Sequence, residues 1–417
     1  MKRSGFWVYV IGLVVLIGCL GLLLVVNLRL SQISRLGSDF LWGWQSARLL
    51  LQQGLSPYTP NAVQQINQTA TDLGLEVNDG GFNAPLYALI LYFPLAIVKD
   101  FALAHAISMI LSELSLGWAI YLGLRITTWR PKAWVTSLLI VVGLIGYPGA
   151  LAILGGSGVP AVLLMVTLAL WAVRTRHDEL AGVALGLATI RPHIVGVFIG
   201  VLVLWAILNR RGLIVLWFFI TLALLGLFFA LFLPSWPLQY LGMIINRQRP
   251  LLGQTIGEAL GVFFPGVGAR LGQAVSVFAG VLLLIELILN RRSGVRAFLW
   301  IGALSLTLTA WIGVRFQPQD MILFFPALIL AGSLWVERWR HLGLGVALMV
   351  VIGLSIGSWG LMSWRLTERP SVQNLAMLVL LVPLIVGGLL YWVRWWAIHP
   401  PSVWLELIQR EDIEPED

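Results

Sequence analysis

Apolar runs of about 18 residues or more, the length that crosses a bilayer as helix, recur along most of the chain between short polar breaks. They read as spans at Phe6–Leu28, Phe101–Leu124, Ala133–Leu154, Val159–Val173, Gly212–Leu233 and Ala269–Leu289. Further spans follow at Ala297–Val314, Met321–Val336, Leu342–Leu361 and Leu375–Val393. Leu180–Asn209 is long enough to go out and back. Its break is expected at Arg191-Pro192, because proline disfavours helix in the residue before it. Leu86–Val98 is apolar but covers only about two-thirds of a span, which predicts a helix lying in the outer interface. The pattern as a whole predicts an all-α polytopic membrane protein of about twelve crossings.

The exception is Arg29 to Asp100, a polar insert directly after the first apolar run. Phe40, Trp44, Ala47 and Leu51 recur there at helical spacing, with Ser38 able to cap the start and Gly54 to supply the stop. A second short helix is marked by Thr59-Pro60 and then Val63, Ile66 and Leu73. Both are expected to lie on the membrane surface with their apolar faces down.

Composition supports the membrane class. The chain is 59% hydrophobic and 11% charged, whereas soluble domains run nearer a quarter charged. The net charge of +8 matters through its placement. Basic residues cluster in short loops at Lys2/Arg3, Arg125/Arg130/Lys132, Arg174/Arg176, Arg210/Arg211, Arg291/Arg292/Arg296, Arg338/Arg340 and Arg394. The positive-inside bias puts these clusters in the cytoplasm. It therefore puts the 29–100 insert and a second large loop, Pro234 to Gly268, outside. Both termini fall inside, with residues 1–393 forming one membrane domain and 394–417 a solvated acidic tail. This basicity needs no nucleic-acid partner, since no basic and aromatic binding face accompanies it. Lys2-Arg3 followed by Phe6–Leu28 resembles a signal peptide, but the run is too long and lacks a small-x-small cleavage site, so it reads as an uncleaved first helix. The single Cys19 excludes a disulfide framework, and the five histidines show no metal-ligand spacing.

Asp39 is the sharpest candidate for chemistry. It falls in the first turn of a predicted helix, where the helix dipole favours an ionised carboxylate fit to act as a general base. The same position also suits a simple helix cap. Arg191, between two short apolar half-helices, is costly in a membrane unless an anion partners it, and its planar fork suits a phosphate. His193 beside it reads as a packing residue. Arg315, Arg247 and Arg249 lie on the outer side against the charge bias and are further phosphate candidates, while Glu258 and Asp320 are alternative acids. Glu286, close to Arg291, can reach the cytoplasmic interface, and Glu113 lies mid-span without an assigned partner. Trp42 and Trp44 are interfacial anchors or platforms for a sugar.

These residues resemble a known family. The succession Ser38-Asp39-Phe40, Ala47-Arg48-Leu49-Leu50-Leu51, Gly54-Leu55-Ser56-Pro57-Tyr58, Phe82-Asn83-Ala84-Pro85-Leu86 and Phe93-Pro94-Leu95-Ala96 is similar to glycosyltransferase family 87. Ala181 to Ala188 leading into Arg191-Pro192 continues the likeness, where the family usually has Lys-Pro. The resemblance implies the GT-C fold and an enzyme that moves a hexose, mannose by preference, from a polyprenyl-phosphate donor to a lipid or glycan acceptor. It implies Asp39 as catalytic base, Arg191 near the donor phosphate, and Tyr58 and Asn83 among the sugar or acceptor contacts. The lipid-linked donor is a co-substrate, no cofactor is implied, and no metal-ligand cluster is encoded. The implied location is the plasma membrane, in contact with its lipids, with the site on the outer face. Departures are Ala84 for the first Pro of Tyr-Pro-Pro, Gly156-Ser157 for Gly-Gln, and no His between Arg315 and Asp320. They bear on donor sugar and acceptor more than on reaction class. A lipid-linked glycan ligase or polymerase remains an alternative. So does a non-enzymatic lipid-linked-sugar transporter, although the paired half-repeats that would mark one are missing.

Overall fold

The computed structural model describes residues 3–34, 36–75, 81–127, 129–245, 253–291, 294–363 and 372–399. Apart from one isolated antiparallel bridge, the regular elements among them are helices. The chain opens with α1 (Arg3–Ile33), α2 (Ser38–Gln53), α3 (Pro60–Asp72), a 3-10 turn at Leu86–Leu91, α4 (Phe93–Ala96) and α5 (Phe101–Ile126). It continues through α6 (Ala133–Ile145), α7 (Tyr147–Leu154), α8 (Val159–Thr175), α9 (Asp178–Ala188), α10 (Pro192–Leu208), α11 (Gly212–Ala230) and α12 (Trp236–Ile245). The last elements are α13 (Ile256–Phe263), α14 (Gly268–Leu289), α15 (Val295–Thr309), a 3-10 turn at Pro318–Phe324, α16 (Phe325–Trp339), α17 (His341–Ser363) and α18 (Val372–Ile398).

By length and composition, six segments can each cross a membrane: α5, α11, α14, α17, α18, and Pro318–Trp339, which joins the second 3-10 turn to α16. Two bent pairs raise the number to eight, one turning 98° from α1 into α2 and the other 61° from α6 into α7. The chain is thus an all-α, multi-pass membrane protein. The other predicted crossings correspond to shorter apolar helices, α8, α10 and α15, and to the 11-residue α9.

The predicted break at Arg191 is present. Arg191 has φ −123° and ψ 76°, the extended backbone that a following proline enforces, and Pro192 opens α10. α9 lies close against α11 because it carries glycine at one-turn spacing. A Cβ on Gly182 would come within 2.5 Å of the Ile214 carbonyl oxygen, and one on Gly186 within 2.6 Å of the Thr221 side chain.

The first insert departs from expectation in its packing. α2 starts at Ser38 with Gly37 at the cap position and no side-chain cap bond, so Ser38 does not cap it. Gly54, at φ 62°, closes it as anticipated, and Thr59 caps α3 by accepting the Ala62 N–H at 3.4 Å. Leu86–Val98 condenses into pieces of six and four residues, neither long enough to cross. α2 and α3 do not lay their apolar faces on lipid. Phe40, Leu41, Trp44, Leu50, Ala62, Ile66, Leu86 and Leu89 bury one another in a cluster of their own, completed by Phe229 of α11 and Trp236 of α12. Ten of the 16 residues of α2 are buried, and its exposed positions, Leu51, Gln52 and Gln53, fall at its C-terminal end. A second, larger core runs through α5 to α18.

Two acids within spans acquire partners. Asn27 of α1 donates to Glu113 Oε1 at 3.1 Å, and Ser31 bonds His105 Nδ1 at 2.9 Å, so a polar seam ties α1 to α5. Glu286 accepts Arg394 of α18 through Nε at 2.9 Å and Nη2 at 2.8 Å.

Candidate functional site

Asp39 sits in the first turn of α2, where the helix dipole favours its negative charge. Phe40, one residue on, anchors that turn between His105, Phe101 and Tyr92. The Asp39 carboxylate therefore stands at the fixed end of a packed helix. Gln319 Nε2 donates to its Oδ2 at 3.2 Å, and Arg191 Nη2 lies 3.7 Å from the same oxygen. Both polar contacts fall on Oδ2, so Oδ1 has no hydrogen-bonding partner among the described residues.

Arg191 is placed by the α9–α10 break and stands among Asp39, Tyr92 and Asp320. Burial opposes its charge, but those three groups outweigh that cost and hold the guanidinium above its ordinary value. Tyr92 reaches this point because its ring lies on Gly43, where a Cβ would approach within 2.4 Å. Burial pushes the Tyr92 phenol above its ordinary range against the pull of Arg191, so at neutral pH it is a neutral hydroxyl beside the guanidinium. The side chains of Arg191 and Asp39 remain 17% and 18% exposed, enough for both to face a ligand.

That exposure opens into a cavity of about 750 Å³, within the range of small-molecule sites. Its wall gathers Asp39, Asn83, Arg191, Glu258 and Arg315 from five separate segments, with Tyr92, Tyr240, His193 and Gln317 between them and an apolar side at Phe82, Ile190, Met243 and Ile244. Asn83 Oδ1 is buried without a partner among the described residues. Tyr240 is kept protonated by burial, which pushes it up to about 12.

Arg315 is held by Glu258, and its Nη1 donates to the Gly253 carbonyl at 2.9 Å. Glu258 also closes a capping box on α13, accepting the Thr255 N–H at 2.9 Å. An antiparallel bridge between Gln254 and Phe316 fixes this latch to the loop before Pro318. Both Glu258 oxygens are thus spent on structure. Asp320 is 1% exposed, does not line the cavity, and uses Oδ2 to accept the Gln317 N–H at 2.8 Å. Neither alternative acid has the accessible, uncommitted oxygen that Asp39 keeps.

Other expected residues lie elsewhere. Trp42 and Trp44 are buried and absent from the cavity wall; Trp44 donates from Nε1 to the Leu95 carbonyl at 3.0 Å, with Arg48 over its ring. Tyr58 stands behind the wall, its hydroxyl donating to the Ala84 carbonyl at 2.8 Å. Arg247 and Arg249 lie outside the described residues. His193, read as a packing residue, is instead exposed and lines the cavity. Gln319, Gln317 and Tyr92 were not singled out from sequence. Only the density of polar residues in Gln317-Pro318-Gln319-Asp320 signalled the first two.

The sequence matches no protein-family model, and no curated protein matches it.

Proposed function

We propose that this chain is an inverting glycosyltransferase of GT-C type. It would move a hexose, with mannose the first to test, from a polyprenyl-phosphate donor to a lipid or glycan hydroxyl at the outer face of the plasma membrane. The observation that carries the reading is a carboxylate and a guanidinium facing one cavity, with Asp39 Oδ1 left free of hydrogen bonds among the described residues. The likeness of the motifs around Asp39, Asn83 and Arg191 to glycosyltransferase family 87 points the same way.

In this reading the acceptor hydroxyl gives its proton to Asp39 Oδ1, and its oxygen bonds to the anomeric carbon. The bond from that carbon to the phosphate oxygen breaks on the opposite face and leaves polyprenyl phosphate. The leaving group is already an anion and needs no protonation, so one carboxylate suffices where glycosidases need two. Arg191 is the group placed to stabilise the developing phosphate charge, the contribution that usually dominates such catalysis. A phosphate also competes with Asp39 for that guanidinium. Donor binding therefore loosens the 3.7 Å ion pair and leaves Asp39 held by Gln319.

The test is transfer of label from polyprenyl-phosphate mannose, and in parallel polyprenyl-phosphate glucose, into lipid extracts by the purified protein in nanodiscs. Label must appear with wild type and vanish with Asp39→Asn. No transfer from either donor, with donor binding retained, would favour the transporter alternative.

A further inference from the structure

A second cavity, of about 210 Å³, lies at the opposite end of the bundle from Asp39. Chain direction places it there. α8 starts beside Gly158, which lines the Asp39 cavity, and ends at Thr175; α15 runs the other way, from Val295 towards Gly313 of that same cavity. α16 leaves the Pro318–Phe324 turn and ends at Trp339. The far cavity is lined by Arg174 of α8, Arg296 of α15, Thr127 after α5 and Ser333 of α16, against apolar walls that include Leu299 and Leu330.

Its charges do not balance. Arg296 donates from Nη2 to Glu337 at 3.1 and 3.2 Å, but its Nη1 is buried with no partner among the described residues. Arg174 makes no ion pair or hydrogen bond among the described residues and stands within repelling range of both Arg296 and Arg130. Two guanidinium groups thus face one partly apolar niche, and among the described residues the carboxylate paired to either is Glu337, on Arg296. Keeping like charges together there is costly unless an anion joins them. Forked donors of this kind match phosphate oxygens, and basic pockets between helices at the cytoplasmic end of membrane proteins take lipid headgroups.

We infer that Arg174 and Arg296 form a phosphate-binding site, distinct from the Asp39 cavity, that takes the phosphate of an anionic phospholipid or a free phosphate ion. The unpartnered Arg296 Nη1 and the Arg174 fork supply the donors, and Leu299 and Leu330 offer apolar contact to the first methylenes of a lipid. This site neither depends on nor supports the transfer reaction.

The experiment uses the full chain, delipidated in detergent. Native mass spectrometry would count retained lipid after addition of phosphatidylglycerol or phosphatidylcholine, and thermal unfolding would be followed with each lipid and with inorganic phosphate. Wild type is expected to retain one phosphatidylglycerol in preference to phosphatidylcholine and to unfold at a higher temperature with it. Arg174→Gln should bind it roughly five- to tenfold more weakly, by the scale of one basic side chain near an anionic headgroup. The same variant should unfold no lower than wild type without lipid, since it relieves repulsion and breaks no bond. Arg338→Gln, an exposed change at the same end outside the cavity, should behave as wild type. Full stabilisation by inorganic phosphate alone, lost in Arg174→Gln, would assign the site to the free ion. Equal lipid retention by wild type and Arg174→Gln, with no response to phosphate, would overturn the inference.

Discussion

Asp39→Asn separates chemistry from structure, because the two effects differ greatly in size. The substitution is nearly isosteric, the Asn side-chain oxygen can still accept from Gln319, and no cap bond is lost because α2 has none from a side chain. What disappears is the charge. At 3.7 Å and an effective dielectric of about 20, the attraction to Arg191 is ~4 kcal/mol, most of it offset by the desolvation of two side chains only 17% and 18% exposed. The net loss in stability is about 1 kcal/mol, with a few tenths more from the helix dipole. Loss of a general base costs roughly 10²- to 10⁴-fold in rate. Turnover should therefore fall by at least two orders of magnitude while the unfolding temperature moves by a few degrees at most. The assay is single-turnover transfer from labelled polyprenyl-phosphate mannose in nanodiscs, with unfolding followed by the fluorescence of the 20 tryptophans. Turnover within tenfold of wild type in the folded variant would refute Asp39 as base. It would also leave no ready replacement, since Glu258 and Asp320 are committed to caps and ion pairs.

Gln319→Leu removes the donor to Asp39 Oδ2 and should lower turnover roughly 10- to 100-fold, the scale of a hydrogen bond to a charged group. In an Asp39→Asn background it should add almost nothing; additive losses in the double variant would reduce Gln319 to a packing residue. Arg191→Ala should weaken donor binding and turnover together, whereas Arg191→Lys keeps the charge but not the fork and should retain part of both. Wild-type kinetics in the alanine variant would remove Arg191 from the donor site. A cysteine at exposed Gln64 on α3, in a Cys19→Ser background, should react with an impermeant thiol reagent from outside the cell. Labelling only after the cytoplasmic side is opened would invert the topology and the placement of the cavity.

Long-period features were readable directly from the sequence. Apolar run length marks helices able to cross a membrane, although six to eight among the described residues meet the length and hydropathy a crossing needs where about twelve were expected. The Arg191-Pro192 break follows from a local clash. Gly54 and Thr59 end and start their helices by chemistry confined to a few residues. Ser38 misled because several small residues suit the same cap position, and Gly37 takes it. Packing was less legible. Periodicity tells that α2 has apolar faces, but not that the insert folds on itself and on Phe229 instead of on lipid. Trp44 lies five residues beyond Asp39 and so on another face of α2, while Trp42, almost one turn on, is buried in the insert's own core, so neither reaches the cavity wall. Gln319 was invisible for the opposite reason: its contact with Asp39 spans 280 residues, and nothing local announces it.

That separation has a consequence for biosynthesis. At about 5–20 residues per second, Asp39 is made roughly 15–60 s before its amide partner, since the pair is 280 residues apart. In the interval the insert can gather much of its own core, whose members lie mostly between Phe40 and Ala104. The carboxylate, however, waits about half of that interval for Arg191 and all of it for Gln319. A ribosome stalled between residues 244 and 318 therefore leaves a fragment that holds the insert's core, Asp39 and Arg191 but not Gln319. The amide that fixes the Asp39 carboxylate is thus supplied only in the last third of translation.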